Sequence, residues 1–472
     1  MQIPSLKEAG IRTNKEVKTE NYKIRDIYKT LGAGKKYFIK TYGCQMNEHD
    51  SENIKAILED MSYEEVDKME EADLILLNTC AIRENAHNKV FGMIGRIKHL
   101  KALKPDLIAG ICGCMAQEEV IVNEILEKYK WLDIVFGTHN IHNLPHILAT
   151  AIAKQALEVE VLSIEGDIIE RMPVKRDSKY KAWINIMYGC DKFCTYCIVP
   201  YTRGKQRSRD KEDILNEVKE LVKDGYQEVT LLGQNVNAYG KDLNIDYTMA
   251  NLLEDTAKTG IKRIRFVTSH PWDFTDEMIE VIKNNKNIMP YIHLPLQSGS
   301  NRILKLMGRR YTKESYLELY KKLKEALPYS SITTDIIVGF PGETEEDFNE
   351  TLEVVNACQY DSAFTFIFSP RVGTPAAKML DNVNLNVKNE RLQRLNKLIN
   401  EYSKKANDAY LNKTVPVLIE GTSEKNEELL MGYTDTMKLV NVVGSKEYIG
   451  QIVDVKITDI KTWSMNGEIV TR

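Results

Sequence analysis

The stretch "YGCDKFCTYC" (188–197) places cysteines at 190, 194 and 197. Three thiols in so short a loop point to a group bound through sulfur, the competing reading being three buried structural cysteines. Three is one too many for a disulfide and one too few for a closed tetrahedral zinc site. At this cysteine frequency the spacing arises by chance in roughly two of a thousand such chains. The loop follows the first strand of a β/α series, and barrel active sites lie at the carboxyl ends of strands. A three-thiolate loop suits a [4Fe–4S] cluster whose fourth iron is left for a small molecule.

That series has strands near 182–187, 228–233, 263–268, 290–296, 332–339 and 363–368, and a charged amphipathic helix over about 386–410 closes it. Six units predict a partial (β/α)6 barrel rather than a complete eight-unit one. Ahead of it, "KYFIKTY" (36–42), "ADLILLN" (72–78), "LIAGIC" (107–112) and "DIVFG" (133–137) alternate with helical patterns. This predicts an α/β fold with a doubly wound parallel sheet. Cys44, Cys80 and Cys114 fall just past its first three strands. In such a sheet those loops share the edge where ligands bind, so a second cluster site is expected there. Cys112, inside an apolar strand, and Cys358, near a helix end, read as core residues.

The last 60 residues change character: "TVPVLIEG", "MKLVNVV", "IGQIVDVKITDI" and "GEIVTR" predict a small all-β barrel. The expected divisions are a polar arm (1–35), an α/β domain (36–154), a linker (155–175), the barrel core (176–411) and the β module (412–472).

Composition narrows the setting. A net charge of −4 is no electrostatic footprint for nucleic acid, so any such contact must be a local patch. The β module, with seven Lys/Arg against nine Asp/Glu from Lys413 to Arg472, supplies none. The amino-terminal arm lacks the apolar centre of a signal peptide, and no apolar run approaches the roughly 20 residues of a membrane span. The expected location is the cytoplasm, where thiols stay reduced and cysteines serve metals or reactivity.

The motifs resemble the radical S-adenosylmethionine (SAM) methylthiotransferases over nearly the whole chain past residue 35. The first domain carries "TYGCQMNEHDS" (41–51), "NTCAIRE" (78–84) and "GCMAQ" (113–117). The core carries "GCDKFCTYCIVPYTRGKQRSR" (189–209), "LLGQNVNAYG" (231–240), "TSHP" (268–271), "HLPLQSGSNRILKLMGR" (293–309) and "DIIVGFPGETEEDF" (335–348). The tail is similar to a TRAM domain. "GQNVNAYG" and "TSHP" resemble the MiaB type, which modifies tRNA bearing N6-isopentenyladenosine beside the anticodon. One departure is Tyr188, where many relatives of that type carry Glu.

The resemblance implies two [4Fe–4S] clusters, one on Cys44, Cys80 and Cys114 and one on Cys190, Cys194 and Cys197, with SAM as cosubstrate. One SAM would methylate a sulfur at the first cluster, and another, on the second, would supply a radical. The reaction implied puts a methylthio group on carbon 2 of the adenine, where no acidic proton exists for acid–base chemistry. The partners implied are isopentenylated tRNA and an electron donor such as a flavodoxin or ferredoxin, with no membrane and a monomeric chain. The open edge of the first domain must then face the barrel mouth.

Gln234, Asn235, Ser269 and Gln297 each follow a barrel strand and are candidates to touch SAM or adenine; ordinary loop hydrogen bonding is the competing reading. His270 and His293 lie near strand ends, with packing favoured over proton transfer. "RGKQRSR" (203–209) and "GRR" (308–310) are candidates for tRNA phosphates, or else solvated faces. In the tail, Tyr433 and Trp463 could stack on RNA bases. "GFPGE" (339–343) has no P-loop lysine, which excludes nucleoside triphosphate binding there. Rival readings are methylthiolation of N6-threonylcarbamoyladenosine, a zinc-dependent RNA-binding protein, and an electron carrier.

Overall fold

A computed structural model describes residues 2–11, 17–81, 84–164, 166–423 and 426–470. Residues 1 and 12–16 of the arm, 82–83 of "NTCAIRE" and 165 of the linker lie outside the described residues. The first domain is built on β1 (Lys36–Thr41), β2 (Glu64–Glu65), β3 (Leu74–Thr79), β4 (Ile108–Gly113), β5 (Ile134–Phe136) and β6 (Glu158–Glu160). They form one parallel sheet in the order β2-β1-β3-β4-β5-β6. β3 is buried at all six positions, as a strand covered by helices on both faces must be. Sheet growth reverses between β1 and β3, the switch point at which open α/β sheets bind ligands.

The expected linker is corrected here. Its residues 158–160 are the edge strand β6, and Ile168–Glu170 pairs in parallel with Thr19–Asn21 of the arm. Nor is the arm free: Gln2 bridges to Glu160, and the Leu6 amide donates to Glu119 Oε2 at 2.8 Å. Strands of three residues are too short to show a period, so only the fold reveals them.

The core holds β7 (Lys181–Asn185), β8 (Glu228–Leu232), β9 (Arg263–Phe266), β10 (Tyr291–His293), β11 (Ser331–Val338) and β12 (Ser362–Ile367). Parallel pairing gives two triplets, β9-β8-β7 and β10-β11-β12. A bridge between Ile264 and Ile288 joins them, with Met289 N donating to Ile264 O at 2.8 Å. The result is an arc of six strands, the partial barrel expected.

Beyond the 24-residue closing helix (Leu385–Asp408) comes a closed barrel of five strands: β13 (Thr414–Ser423), β14 (Asn426–Thr434), β15 (Leu439–Val443), β16 (Ile452–Ile460) and β17 (Met465–Ile469). β14 escapes sequence reading because "NEEL" opens it with charge. This module docks on the amino ends of the core strands. Arg263, first in β9, reaches Asp435 at 2.7 Å, Lys438 reaches Asp361 at 3.0 Å, and Lys181 pairs with Glu420. The carboxyl ends, with the cysteine loop, face the other way.

Candidate active site

The first thiol group sits at the switch point. Cys44 is the N-cap of the helix Gln45–Asp60. Cys80 leaves β3, and Cys114 opens a short turn after β4. Gly43 allows the loops to approach: its φ is +144°, and an added Cβ would stand 2.8 Å from the Cys80 Cβ. Asn47, one helical turn past Cys44, ties the three loops together. Its Nδ2 donates to Thr79 O at 2.9 Å, and its Oδ1 faces Cys44 Sγ at 3.6 Å and Cys114 Sγ at 3.9 Å.

The second group lies in a clasped loop. Met187–Tyr188 pairs antiparallel with Arg207–Ser208 across the base of the loop, and Cys190 N donates to Gly204 O at 3.1 Å. Thr195 is held on both sides, its amide by Met307 O at 2.9 Å and its carbonyl by Ala376 N at 2.8 Å. An arginine addresses each site: Arg203 Nε donates to Cys114 Sγ at 3.1 Å, and Arg309 Nη1 to Cys194 Sγ at 3.5 Å. A buried guanidinium beside a thiolate is a charge-assisted contact, suited to an anionic cluster.

The two groups face each other. Ile198, directly after Cys197, packs in one small apolar cluster with Cys114 and Ala81. Arg203, from the barrel loop, reaches into the first domain to Asp50 at 2.6 Å, and Thr138 Oγ1 donates to Thr202 O at 2.8 Å. The open edge therefore covers the barrel mouth.

None of the eight cysteines is in a disulfide. Burial pushes the Cys114 thiol up to about 12, against the pull of Arg203, and the Cys190 thiol up to about 11. Metal binding must displace such protons. Among the described residues no three His, Cys, Asp or Glu side chains converge closely enough to hold a single metal ion. The donor set itself fits iron–sulfur clusters, since at each site three thiols interact electrostatically with one another. Cys112 and Cys358 are buried in apolar clusters.

The fit to SAM rests on unpaired polar atoms. Gln234 Oε1, Asn235 Oδ1, Ser269 Oγ and both amide atoms of Asn237 are buried without a partner on the loops after β8 and β9. Buried polar groups are almost always satisfied, and a polar ligand at the barrel mouth would supply the partners these lack. Asn235 Nδ2 is already engaged by Asp273 at 2.7 Å. Gln297 is fixed by its backbone, with φ of +68° and its amide bound to Asp335 O at 2.8 Å.

Other candidates fare differently. His270 is held neutral, lowered to about 2 chiefly by burial and then by Arg309, and its Nδ1 accepts from Trp272 N at 3.3 Å. His293 bonds Thr333 at 2.9 Å and Asp335 at 3.2 Å inside the arc. The run "RGKQRSR" is corrected as a phosphate surface: Arg203, Arg207 and Arg209 are buried, and Arg209 is clamped by Glu170 at 2.6 Å and Glu217 at 3.0 Å. Of "GRR", Arg309 serves Cys194 whereas Arg310 is exposed, 5.5 Å over the Trp272 ring, with Lys192 5.4 Å from the same ring. Lys192, Phe193, Lys305, Arg309 and Arg310 line a cleft of about 570 Å³ that no carboxylate borders. Trp463 is 59% exposed on the β module, and Tyr433 is half-buried.

Sequence reasoning missed Asn47 and Asp50, and it named Arg203 and Arg309 only within runs that could meet phosphate. Asn47 and Asp50 follow Cys44 at intervals of three, a polar stripe on one helix face that could have flagged them.

Comparison with known proteins agrees with this geometry. Residues 184–355 match the Radical SAM superfamily, 36–137 the Uncharacterized protein family UPF0004, and 408–470 the TRAM domain. A tRNA-2-methylthio-N(6)-dimethylallyladenosine synthase of Staphylococcus epidermidis is 58% identical over 471 residues, covering 99% of this chain and 92% of that protein. The chain belongs to this synthase family. The Bacillus subtilis (strain 168) synthase of the same name is 57% identical over 469 residues, with the same coverage. In fold, the chain is similar to the radical S-adenosylmethionine methyltransferase TsrM of Kitasatospora setae, solved with tryptophan substrate and a SAM analogue. That likeness has a TM-score of 0.51 at 15% identity over 73% of this chain and 75% of that one.

Proposed function

We propose that this chain is a radical SAM tRNA methylthiotransferase that places a methylthio group on carbon 2 of N6-isopentenyladenosine beside the anticodon. The observation that carries the reading is the pair of three-thiol groups facing each other across Ala81, Cys114 and Ile198, in a chain 58% identical to a synthase of that name. Cys44, Cys80 and Cys114 would hold one [4Fe–4S] cluster, and Cys190, Cys194 and Cys197 the other. When bound, the clusters and SAM supply the radical and the methylthio group.

The chain's own residues orient and shield. Arg203 and Arg309 offset negative charge at the two sulfur sites. Gln234, Asn235, Asn237 and Ser269 offer polar atoms to SAM or adenine. The first domain covers the mouth and excludes water from radical chemistry. Lys192, Lys305 and Arg310 offer the rim to RNA phosphates. A flavodoxin- or ferredoxin-like donor supplies electrons, and the protein works as a cytoplasmic monomer. Among the described residues no helix is long and apolar enough to cross a membrane.

The test is anaerobic iron and sulfide analysis on the wild type and on the Cys190/Cys194/Cys197 triple alanine variant, followed by turnover with SAM and isopentenylated tRNA. About eight irons per chain, falling to about four in the variant, together with methylthiolated product, is the expected result. Stoichiometric zinc without iron would overturn the reading. Product on threonylcarbamoylated tRNA alone would change the substrate.

A further inference from the structure

Two large apolar side chains stand uncovered on the last strand of the arc. Phe364 and Phe366 of β12 are 52% and 42% exposed. Their sequence neighbours face the other way: Thr365 Oγ1 pairs with Asn396 Oδ1 of the closing helix at 2.6 Å, and Ala363 and Ile367 pack against the cluster that holds Leu395 and Ile399 of that helix. Side chains alternate along a strand, so the two phenyl rings project into the hollow of the arc.

Register sets Phe364 beside Asp335 and Phe366 beside Ile337 of β11. His293 meets the Phe364 ring edge-on at 6.0 Å and also bonds Asp335. The wall extends to the cysteine loop, since Ile337 and Tyr196 pack against one cluster of Ile303, Met307, Phe340, Phe368 and Ala376. Tyr196 lies between Cys194 and Cys197.

We propose that Phe364 and Phe366 form the subsite for the dimethylallyl branch of the substrate adenine. This rests on the functional reading above and adds to it the basis of discrimination. A five-carbon apolar branch laid on two phenyl faces removes from water the apolar surface the fold leaves open. The carboxylate of Asp335 on the same wall repels an acidic substituent, so a threonylcarbamoyl group meets a like charge where the prenyl group meets none.

The test uses the full-length, cluster-loaded protein and three anticodon stem-loop RNAs that differ only in carrying adenosine, N6-isopentenyladenosine or N6-threonylcarbamoyladenosine at the target. Fluorescence anisotropy at fixed salt gives each affinity without turnover, and kcat/KM follows. Wild type should favour the prenylated RNA. The Phe364→Ala/Phe366→Ala variant should lose about tenfold or more of that preference, and Phe364→Leu should keep most of it. Iron content reports folding; if the double variant loses iron, Phe364→Ala, at the more exposed ring, decides. A wild-type preference that survives these substitutions overturns the subsite alone. A wild type that does not prefer the prenylated RNA overturns the functional reading together with it.

Discussion

Replacing Arg203 by methionine tests whether the two domains are locked by a buried ion pair. Arg203 and Asp50 are 5% and 4% exposed, and their charged atoms stand 2.6 Å apart. Methionine fills much of the volume but leaves the Asp50 carboxylate buried and alone. Asn47 Oδ1, at 3.4 Å, and Cys114 Sγ, at 3.1 Å, lose a donor as well. Removing one partner of a buried pair costs about 3–5 kcal/mol. Against a typical stability of roughly 5–15 kcal/mol, that loosens the first domain from the barrel. Adding Asp50→Asn removes the stranded charge, so the double variant should recover at least ~1 kcal/mol relative to the sum of the single changes. The assay is guanidinium denaturation of the two single variants and the double, reading the first transition. A single variant within about 1 kcal/mol of wild type, or strictly additive singles, would refute the lock.

Other outcomes follow from the same geometry. His49 is fully buried, and burial, then Arg176, hold its imidazole down to about 3 from 6.5. The unfolded chain takes up a proton that the native state refuses. The contribution is therefore complete above 6.5 and lost as pH falls toward 3, and denaturation midpoints from about pH 7 to about pH 4 should fall less steeply in His49→Gln. Gly43→Ala drives a Cβ to within 2.8 Å of the Cys80 Cβ, so iron should drop from about eight to about four per chain while the barrel site stays loaded. Arg310→Ala and Lys305→Ala should each flatten the salt dependence of RNA binding by about 0.7 in log–log slope, measured by filter binding. Unchanged slopes would take RNA off this rim.

The sequence by itself determined the chemistry. Three cysteines in one loop, and three more each just past a strand, required a sulfur-bound group, because thiol count and spacing are local properties. The alternation of strands and helices likewise determined a parallel sheet followed by a partial barrel, since period and run length are set by neighbouring residues. What the sequence left open concerns residues far apart in the chain. The strands 158–160 and 168–170 were too short for a pattern, and only their partners make them strands. "RGKQRSR" reads as a surface patch until Asp50, Glu170 and Glu217 are brought against it, and then it is an interior ion-pair network. Phe364 and Phe366 look like core until the arc is seen to stay open on their side. Composition and spacing specify what a chain can bind, but which charges are buried and which apolar faces stay uncovered depends on long-range packing, and tertiary structure alone decides it.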